Sequence, residues 1–262
     1  MKPVYLKTLL IAAIISMACT TKVSEWVLLN SFADKYRLVY YHKGDQATEV
    51  VTQHKELERW SETTNIVFKS EVKQAVSDPY YALYYGNRLF GEYDDYSSVK
   101  SINTSPVRDK VVEELLAGKL CVMLYLKSGN SEKDNQGLQV IKKSLDSSPF
   151  SEIITLIEID RGSTTEKHLV SLLLNVESDL KEIDEPMLFG VFGRFRALEP
   201  LLGRGITEDN IKLLIDFLTA DCSCLIKDNL PGVSILCKAD WERPSPALVN
   251  VILDANPSLL HR

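Results

Sequence analysis

The chain has 262 residues, 45% hydrophobic, 25% charged and 8% aromatic, the make-up of an ordinary folded protein and not of a disordered or fibrous one. With 30 Lys and Arg against 36 Asp and Glu the net charge is −6, so no basic surface dominates and nucleic-acid binding is disfavoured. One large domain or two small ones fit this length.

The first nineteen residues read MKPVYLKTLLIAAIISMAC. Lys2 and Lys7 give a positive start, Leu9 to Ile15 a short apolar core, and small residues stand near Ala18, which is the layout of an export signal. The run is too short to span a bilayer, polar Thr20, Thr21 and Lys22 follow it, and no later segment has the character of a membrane span. Ser16-Met17-Ala18-Cys19 resembles the lipobox of bacterial lipoproteins, with Ser16 where Leu is usual. That resemblance implies a signal peptide over 1–18, a diacylglycerol on Cys19 as the first mature residue, and a membrane-anchored position in the cell envelope, facing the periplasm or the exterior. Ordinary cleavage of a secreted protein is the alternative. Outside the cytoplasm Cys121, Cys222, Cys224 and Cys237 are all available for disulfides.

A first series of elements follows. Tyr36 to His42 is strand-like, Thr48 to Trp60 aligns Val50, His54 and Leu57 on one helix face, and Asn65 to Val72 is a second strand. Pro79 leads into YYALYYG, a Gly86-Asn87 turn and a return over Leu89 to Tyr93; Ser105 and Pro106 start a helix that Gly118 ends. A second series starts at Lys119 to Lys127, a strand, followed by a helix over Ser131 to Ser147 with Leu138, Ile141 and Leu145 at helical spacing. Glu152 to Asp160 is a strand and Thr165 to Val176 a buried helix. Pro186 opens the strand MLFGVF, Gly193-Arg194 turns it, and Phe195 to Leu202 returns as its antiparallel partner. Thr207 caps a last helix, with Glu208 and Asp209 in its first turn and Ile211, Leu214, Ile215 and Leu218 as its stripe.

The order β-α-β-α-β-β-α implies right-handed crossovers feeding a mixed sheet. With Pro186 before the third strand and Gly203 before the last helix, it resembles the thioredoxin-like superfamily, which carries a cis-proline at that place. Pro79 stands as far from Gly86 as Pro186 does from Gly193, so the first series repeats the plan, shortened by about twenty residues, the size of one helix and its loop. The fold class expected is α/β: two tandem thioredoxin-like domains, mixed β-sheets flanked by helices, over 26–118 (abbreviated) and 119–220, with a cysteine-containing tail over 221–262. The alternative is one larger α/β sheet. Both prolines are expected to be cis on the resemblance alone.

Enzymes of this superfamily place Cys-x-x-Cys at the first strand-to-helix junction, where the helix amino terminus stabilises a thiolate. Here the junctions read His42-Lys43-Gly44-Asp45-Gln46 and Lys127-Ser128-Gly129-Asn130-Ser131, with no cysteine. Redox-inactive relatives bind polypeptide on the same surface, so the resemblance implies a binding site at Ser128, Asn130, Ser131 and Pro186, with Pro79 in the first unit. Tyr80, Tyr81, Tyr84, Tyr85, Tyr93 and Tyr96 cluster; Tyr81 and Tyr85 share one sheet face and offer amphipathic rings to a partner, or are half-buried strand residues.

Cys222-Ser223-Cys224, Asn229-Leu230-Pro231-Gly232-Val233 and Asp240-Trp241 resemble the carboxy-terminal part of uncharacterised exported proteins of planctomycete and verrucomicrobial type. Three readings of Cys222, Cys224 and Cys237 stand open: a structural disulfide from Cys222 or Cys224 to Cys237, a strained Cys-x-Cys redox pair, or three thiolates on a metal that would still need a fourth ligand. Cys121 reads as a small buried hydrophobe. Asp94-Asp95 reads as a solvated loop, Arg194, Arg196 and Arg204 as strand-edge charges, and the four histidines have no metal spacing. No phosphate loop, dinucleotide fingerprint, serine elbow or metalloprotease helix occurs, so no cofactor and no resident metal is expected. The function expected is redox-inactive binding of an envelope protein or peptide. Thiol–disulfide exchange through Cys222 and Cys224, and a structural role assembled through the tyrosine face, are the alternatives.

Overall fold

The computed structural model describes residues 22–222 and 229–241. There are two sheets, not one. The first comprises β1 (Tyr36–His42), β2 (Ile66–Val72), β3 (Tyr80–Tyr85) and β4 (Arg88–Tyr93) in the order β2-β1-β3-β4. The second comprises β5 (Cys121–Lys127), β6 (Ile154–Asp160), β7 (Met187–Phe192), β8 (Arg196–Ala197) and β10 (Val233–Ser234) in the order β10-β8-β7-β5-β6, with β9 (Leu201–Leu202) also on β7. In each sheet the first strand is central, its crossover partner is parallel, and the hairpin lies antiparallel on the other side. That is the thioredoxin-like strand order twice over. The protein is α/β, with two mixed sheets flanked by helices and an abbreviated first unit.

The second unit follows its sequence closely. β5 reads CVMLYLK and is buried at all but its last residue, as a central strand covered on both faces must be. One core lies on the side of α1 (Val23–Asn30), α5 (Ser131–Asp146) and α7 (Glu208–Leu218): Met123, Leu188 and Phe192 meet Val27, Ile141, Ile211 and Ile215. The opposite face joins Leu124, Phe189 and Val191 to α6 (Lys167–Leu173) and to the whole inner side of the first unit. There α2 (Thr48–Thr63), α3 (Tyr96–Ile102) and α4 (Pro106–Leu116) supply Leu57, Ile102 and Leu115 against Leu38 and Leu83 of the first sheet. The two units therefore share one core.

Several local expectations are corrected. The return strand over Phe195 to Leu202 is broken into β8 and β9, because Pro200 has no N–H to donate to the ladder. The helix over Thr165 to Val176 is regular only from Lys167 to Leu173. No cis peptide bond occurs among the described residues, so Pro79 and Pro186 are trans, the isomer an X–Pro bond favours unless a turn demands otherwise. Helix α1, unforeseen in the sequence, packs on the second unit although Trp26 to Asn30 precede the first in the chain. Val23 N–H donates to Ala220 O at 3.0 Å, Gly193 N–H to Ser24 Oγ at 3.2 Å and Arg194 Nε to Leu28 O at 2.7 Å. Gly193 has φ +55°, and a Cβ there would sit 2.3 Å from Val27 Cγ1, so only glycine makes that turn beneath α1.

The described part of the carboxy-terminal segment is a strap between the units. Ile235, Leu236 and Cys237 are buried. Tyr36 Oη donates to Ser234 O at 2.9 Å, Cys237 N–H to Asn65 Oδ1 at 3.0 Å, and Ala239 N–H to Thr63 O at 2.8 Å. On the second unit Ile235 N–H reaches Phe195 O at 2.9 Å.

Candidate functional site

The junction of β5 and α5 is closed by a residue that no local motif singles out. Asp134, buried on the first turns of α5, accepts from Ser128 N–H at 2.7 Å, Ser128 Oγ at 2.8 Å and Gly129 N–H at 3.0 Å. Ser128 Oγ accepts in turn from Asn130 N–H at 3.1 Å. Asn130 is the N-cap, its Oδ1 accepting from the N–H groups of Glu132 at 3.1 Å and Lys133 at 3.2 Å. A thioredoxin-like enzyme uses this helix amino terminus to hold a thiolate. Here the Asn130 amide caps those donors, the Asp134 carboxylate holds the loop before them, and the Ser128 hydroxyl is engaged as donor to Asp134 and as acceptor from Asn130 N–H. Ser131, the first helical residue, is exposed.

Beside the junction an open cleft of about 800 Å³ runs between α5, Pro186 and the approach to α7. Gln136 and Val140 line one wall, Pro186 the floor, and Arg204 and Ile206 the other wall. Pro186 is buried and its carbonyl accepts from Gly203 N–H at 2.8 Å, which fixes the two loops side by side. Ion pairs border it: Lys133 Nζ to Glu185 Oε1 at 2.5 Å and Lys143 Nζ to Glu208 Oε1 at 2.5 Å. Exposed pairs of this kind contribute about 0–1 kcal/mol each, so they can open for a ligand at small cost.

The junction of the first unit is built differently. His42 fills it. Its Nδ1 lies against Gly44 O, so that nitrogen carries the proton, and Nε2 accepts from Ser70 Oγ at 3.0 Å and Gln46 Nε2 at 2.9 Å. Pro79 is exposed and stands apart from Pro186 in the other unit. Tyr81 belongs to the shared core, its hydroxyl 3.4 Å from His54 Nε2 and its pKa pushed up to about 12 by burial. Tyr85 is half-buried and donates to Asp34 Oδ2 at 2.7 Å; burial and then that hydrogen bond raise its pKa. Both rings face the core, because the register pairs them with Tyr40 and Tyr36 of β1. Tyr81 is thus a core residue and Tyr85 a half-buried strand residue, as the alternative reading of this cluster has them.

The cysteines are dispersed. Cys237 is a free thiol in the core between the units, pushed up to about 12 by burial. Cys121 is a free thiol in the opposite core, pushed up to about 12 for the same reason. Cys222 is buried in that opposite core too, so the second sheet lies between Cys222 and Cys237. A disulfide from Cys222 to Cys237 is excluded by that separation, Cys237 being a free thiol rules out Cys224 as its partner as well, and the three-thiolate metal site is not assembled. Among the described residues no group of three or more His, Cys, Asp or Glu could hold a metal ion. Cys19 and Cys224 lie outside the described residues.

Sequence reasoning also missed the polar seam between the units. Arg108, 2% exposed, donates to Leu236 O at 2.8 Å and to Ile102 O, the end of α3. Glu166, from the second unit, caps α4 of the first by accepting from Val107 N–H at 2.9 Å and from Ser105 Oγ. Burial, as the largest influence, pushes the Arg108 guanidinium below its ordinary value, with Cys237 and Glu166 acting in the opposite sense. The only signal in the sequence was Ser105-Pro106 as a helix start, which does not tell that the cap comes from sixty residues downstream.

No protein-family description matches the chain, and no curated protein matches it. Among solved structures, it is similar to the crystal structure of human ERp44, form I, at 10% sequence identity and a TM-score of 0.30, over 86% of this chain. The chain spans 65% of that structure's length.

Proposed function

We propose that this is an exported, lipid-anchored envelope protein whose second thioredoxin-like unit holds a protein or peptide partner in the cleft beside Pro186 and does no dithiol chemistry there. The observation that carries the reading is the junction itself: an open cleft of about 800 Å³ next to a helix amino terminus whose donors are capped by Asn130 and whose preceding loop is tied down by Asp134. A cleft with satisfied polar walls and no nucleophile is suited to binding, while a thiol enzyme would leave that terminus for its thiolate. The residues that read as an export signal, the lipobox-like Ser16-Met17-Ala18-Cys19 and the resemblance of the carboxy-terminal elements to exported proteins of planctomycete and verrucomicrobial type support the location.

A photo-crosslinking residue at Gln136 in the full chain tests the binding. The expected result is a discrete envelope polypeptide, lost on Arg204→Glu and absent when the crosslinker is moved to Lys69 on the other unit. Capture of the same proteins from both positions would sink the proposal. Insulin reduction abolished by Cys222→Ser would replace it with thiol exchange. Mass spectrometry of the mature amino terminus is expected to find diacylglycerol on Cys19, and an unmodified secreted terminus would remove the anchor from the reading.

A further inference from the structure

Ser70 of β2 and His42 of β1 meet at one end of the first sheet, on the same face. The register pairs Tyr40 with Ser70 and His42 with Val72, and side chains two residues apart along a strand share a face. Ser70 Oγ lies 3.0 Å from His42 Nε2. His42 Nδ1 lies 2.5 Å from Gly44 O, and a carbonyl oxygen can only accept, so Nδ1 carries the proton and Nε2 presents its lone pair to the Ser70 hydroxyl. Packing holds the imidazole in place: it is 8% exposed and stacks on Tyr40 with ring centroids 5.5 Å apart. Ser70, in contrast, is exposed. A hydroxyl open to solvent, an imidazole beside it and a carbonyl that sets the tautomer are a nucleophile, a base and an orienting group in hydrogen-bond contact.

The surroundings add what acyl transfer needs. Gln46 Nε2 donates to Ser70 Oγ at 2.7 Å, so the hydroxyl keeps its own proton for His42, and an amide donor already faces the point where negative charge gathers. Gln46 is followed at once by α2, which starts without a side-chain cap at Ala47; the N–H groups of Thr48, Glu49 and Val50 have no partner among the described residues. Phe68 and Val72 continue the face on either side of Ser70, and Val72 is 62% exposed, an apolar rest for a short acyl chain. On the loop and first turn Asp45 and Glu49 stand against Lys43, while Glu71 and Lys73 lie on the opposite face with Tyr41. That balance disfavours an anionic substrate and favours a neutral one. We propose that Ser70 and His42 are a catalytic pair that hydrolyses small neutral acyl esters.

Ser70 Oγ attacks the acyl carbon, and its proton passes to His42 Nε2. The carbonyl oxygen, now negative, accepts a hydrogen bond from the Gln46 amide. The bond to the leaving alcohol breaks, and the alcohol takes the proton from Nε2. Water then attacks the acyl group on Ser70 and gives a proton to Nε2; the carbon–Oγ bond breaks and Oγ recovers that proton. Acid and alcohol depart, and nothing is oxidised or reduced. The imidazolium formed on the way is steadied by the Gly44 carbonyl and not by a carboxylate, so the pair suits esters, with their better leaving groups, and not amides. The reaction is independent of the cleft beside Pro186, which belongs to the other unit.

p-Nitrophenyl acetate incubated with the full chain tests the proposal. The expected result is a burst of about one p-nitrophenolate per chain followed by slower turnover, with the acetyl group found on Ser70 by peptide mass spectrometry after an acid quench. Ser70→Ala, at an exposed position, is expected to abolish the burst and lower turnover at least about 100-fold. His42→Gln keeps a donor for Gly44 O but removes the base, and is expected to lower turnover about 100-fold. Gln46→Ala is expected to cost about tenfold. Circular dichroism confirms that each variant is folded; if His42→Gln is not, Ser70→Ala and the site of acetylation decide alone. Acetyl groups on lysine or cysteine with none on Ser70, a Ser70→Ala protein as fast as wild type, or a folded His42→Gln protein with undiminished turnover would overturn it.

Discussion

The two sheets share one strand order and differ in what covers them. The second is buried on both faces, by α1, α5 and α7 on one side and by α6 with the first unit on the other. Among the described residues the first has helices on its inner side alone, and on its outer side Arg37 and Lys73 lie over its own tyrosine rings. The lesson is that strand order is set by short crossovers and hairpins, whereas coverage depends on how many helices the connections can spare. A unit that loses one crossover helix keeps its topology and acquires a surface.

That contrast can be broken most sharply at the seam. Arg108→Ala removes the donor for Leu236 O and Ile102 O and leaves Glu166 without its nearby buried cation, so it is expected to destabilise the whole protein by about 3–5 kcal/mol in denaturant titrations. Because the core is shared, both units are expected to unfold in one transition. Two separate transitions would show that the units are energetically independent.

The turn glycines offer the same contrast on a smaller scale. Gly193→Ala combines left-handed backbone with a clash against Val27 and is expected to cost about 2–4 kcal/mol. Gly86→Ala, at the equivalent turn of the first unit, meets nothing within 4 Å and is expected to cost about 1 kcal/mol, the backbone contribution alone. Equal costs would mean that α1 does not brace the second hairpin.

Acid lability sharpens the comparison at the interface. His168, from the second unit, lies 3.0 Å from Ser101 Oγ of the first, and burial, with Lys167 and Arg108 nearby, lowers its pKa to about 4. Its folded value lies below its unfolded value, so the unfolded chain binds the extra proton. Stability is fully present above the ordinary histidine range and is lost as pH falls from about 6.5 toward 4. After discounting for partial exposure, wild type is expected to lose about 1–2 kcal/mol more than His168→Gln over that interval. Denaturation midpoints of both proteins at the two ends of the interval check this, and parallel losses would show that the carboxylates alone govern the acid limit.

Much of this architecture was legible beforehand. The alternation of strand and helix periods located all the major strands, Pro79 and Pro186 marked the two third strands, and the shortfall in the first unit foretold a missing helix. Ser105, Asn130 and Thr207 stand at helix starts as cap chemistry requires. The binding site was legible only as a junction without cysteine. That Asp134 closes it, or that Tyr81 points inward, depends on a side chain reaching across a loop or on which face of a sheet meets the core. The same holds for Cys237, whose spacing from Cys222 suggested a bond that an intervening sheet forbids.

The order of elements, their caps and the absence of sulfur at both junctions were determined by the chain alone, because each depends on residues within a turn or two of one another. Which face is covered, which unit α1 braces, and where Glu166 finds its helix were decided only by tertiary packing. Those contacts join residues far apart in sequence, and no local period records them.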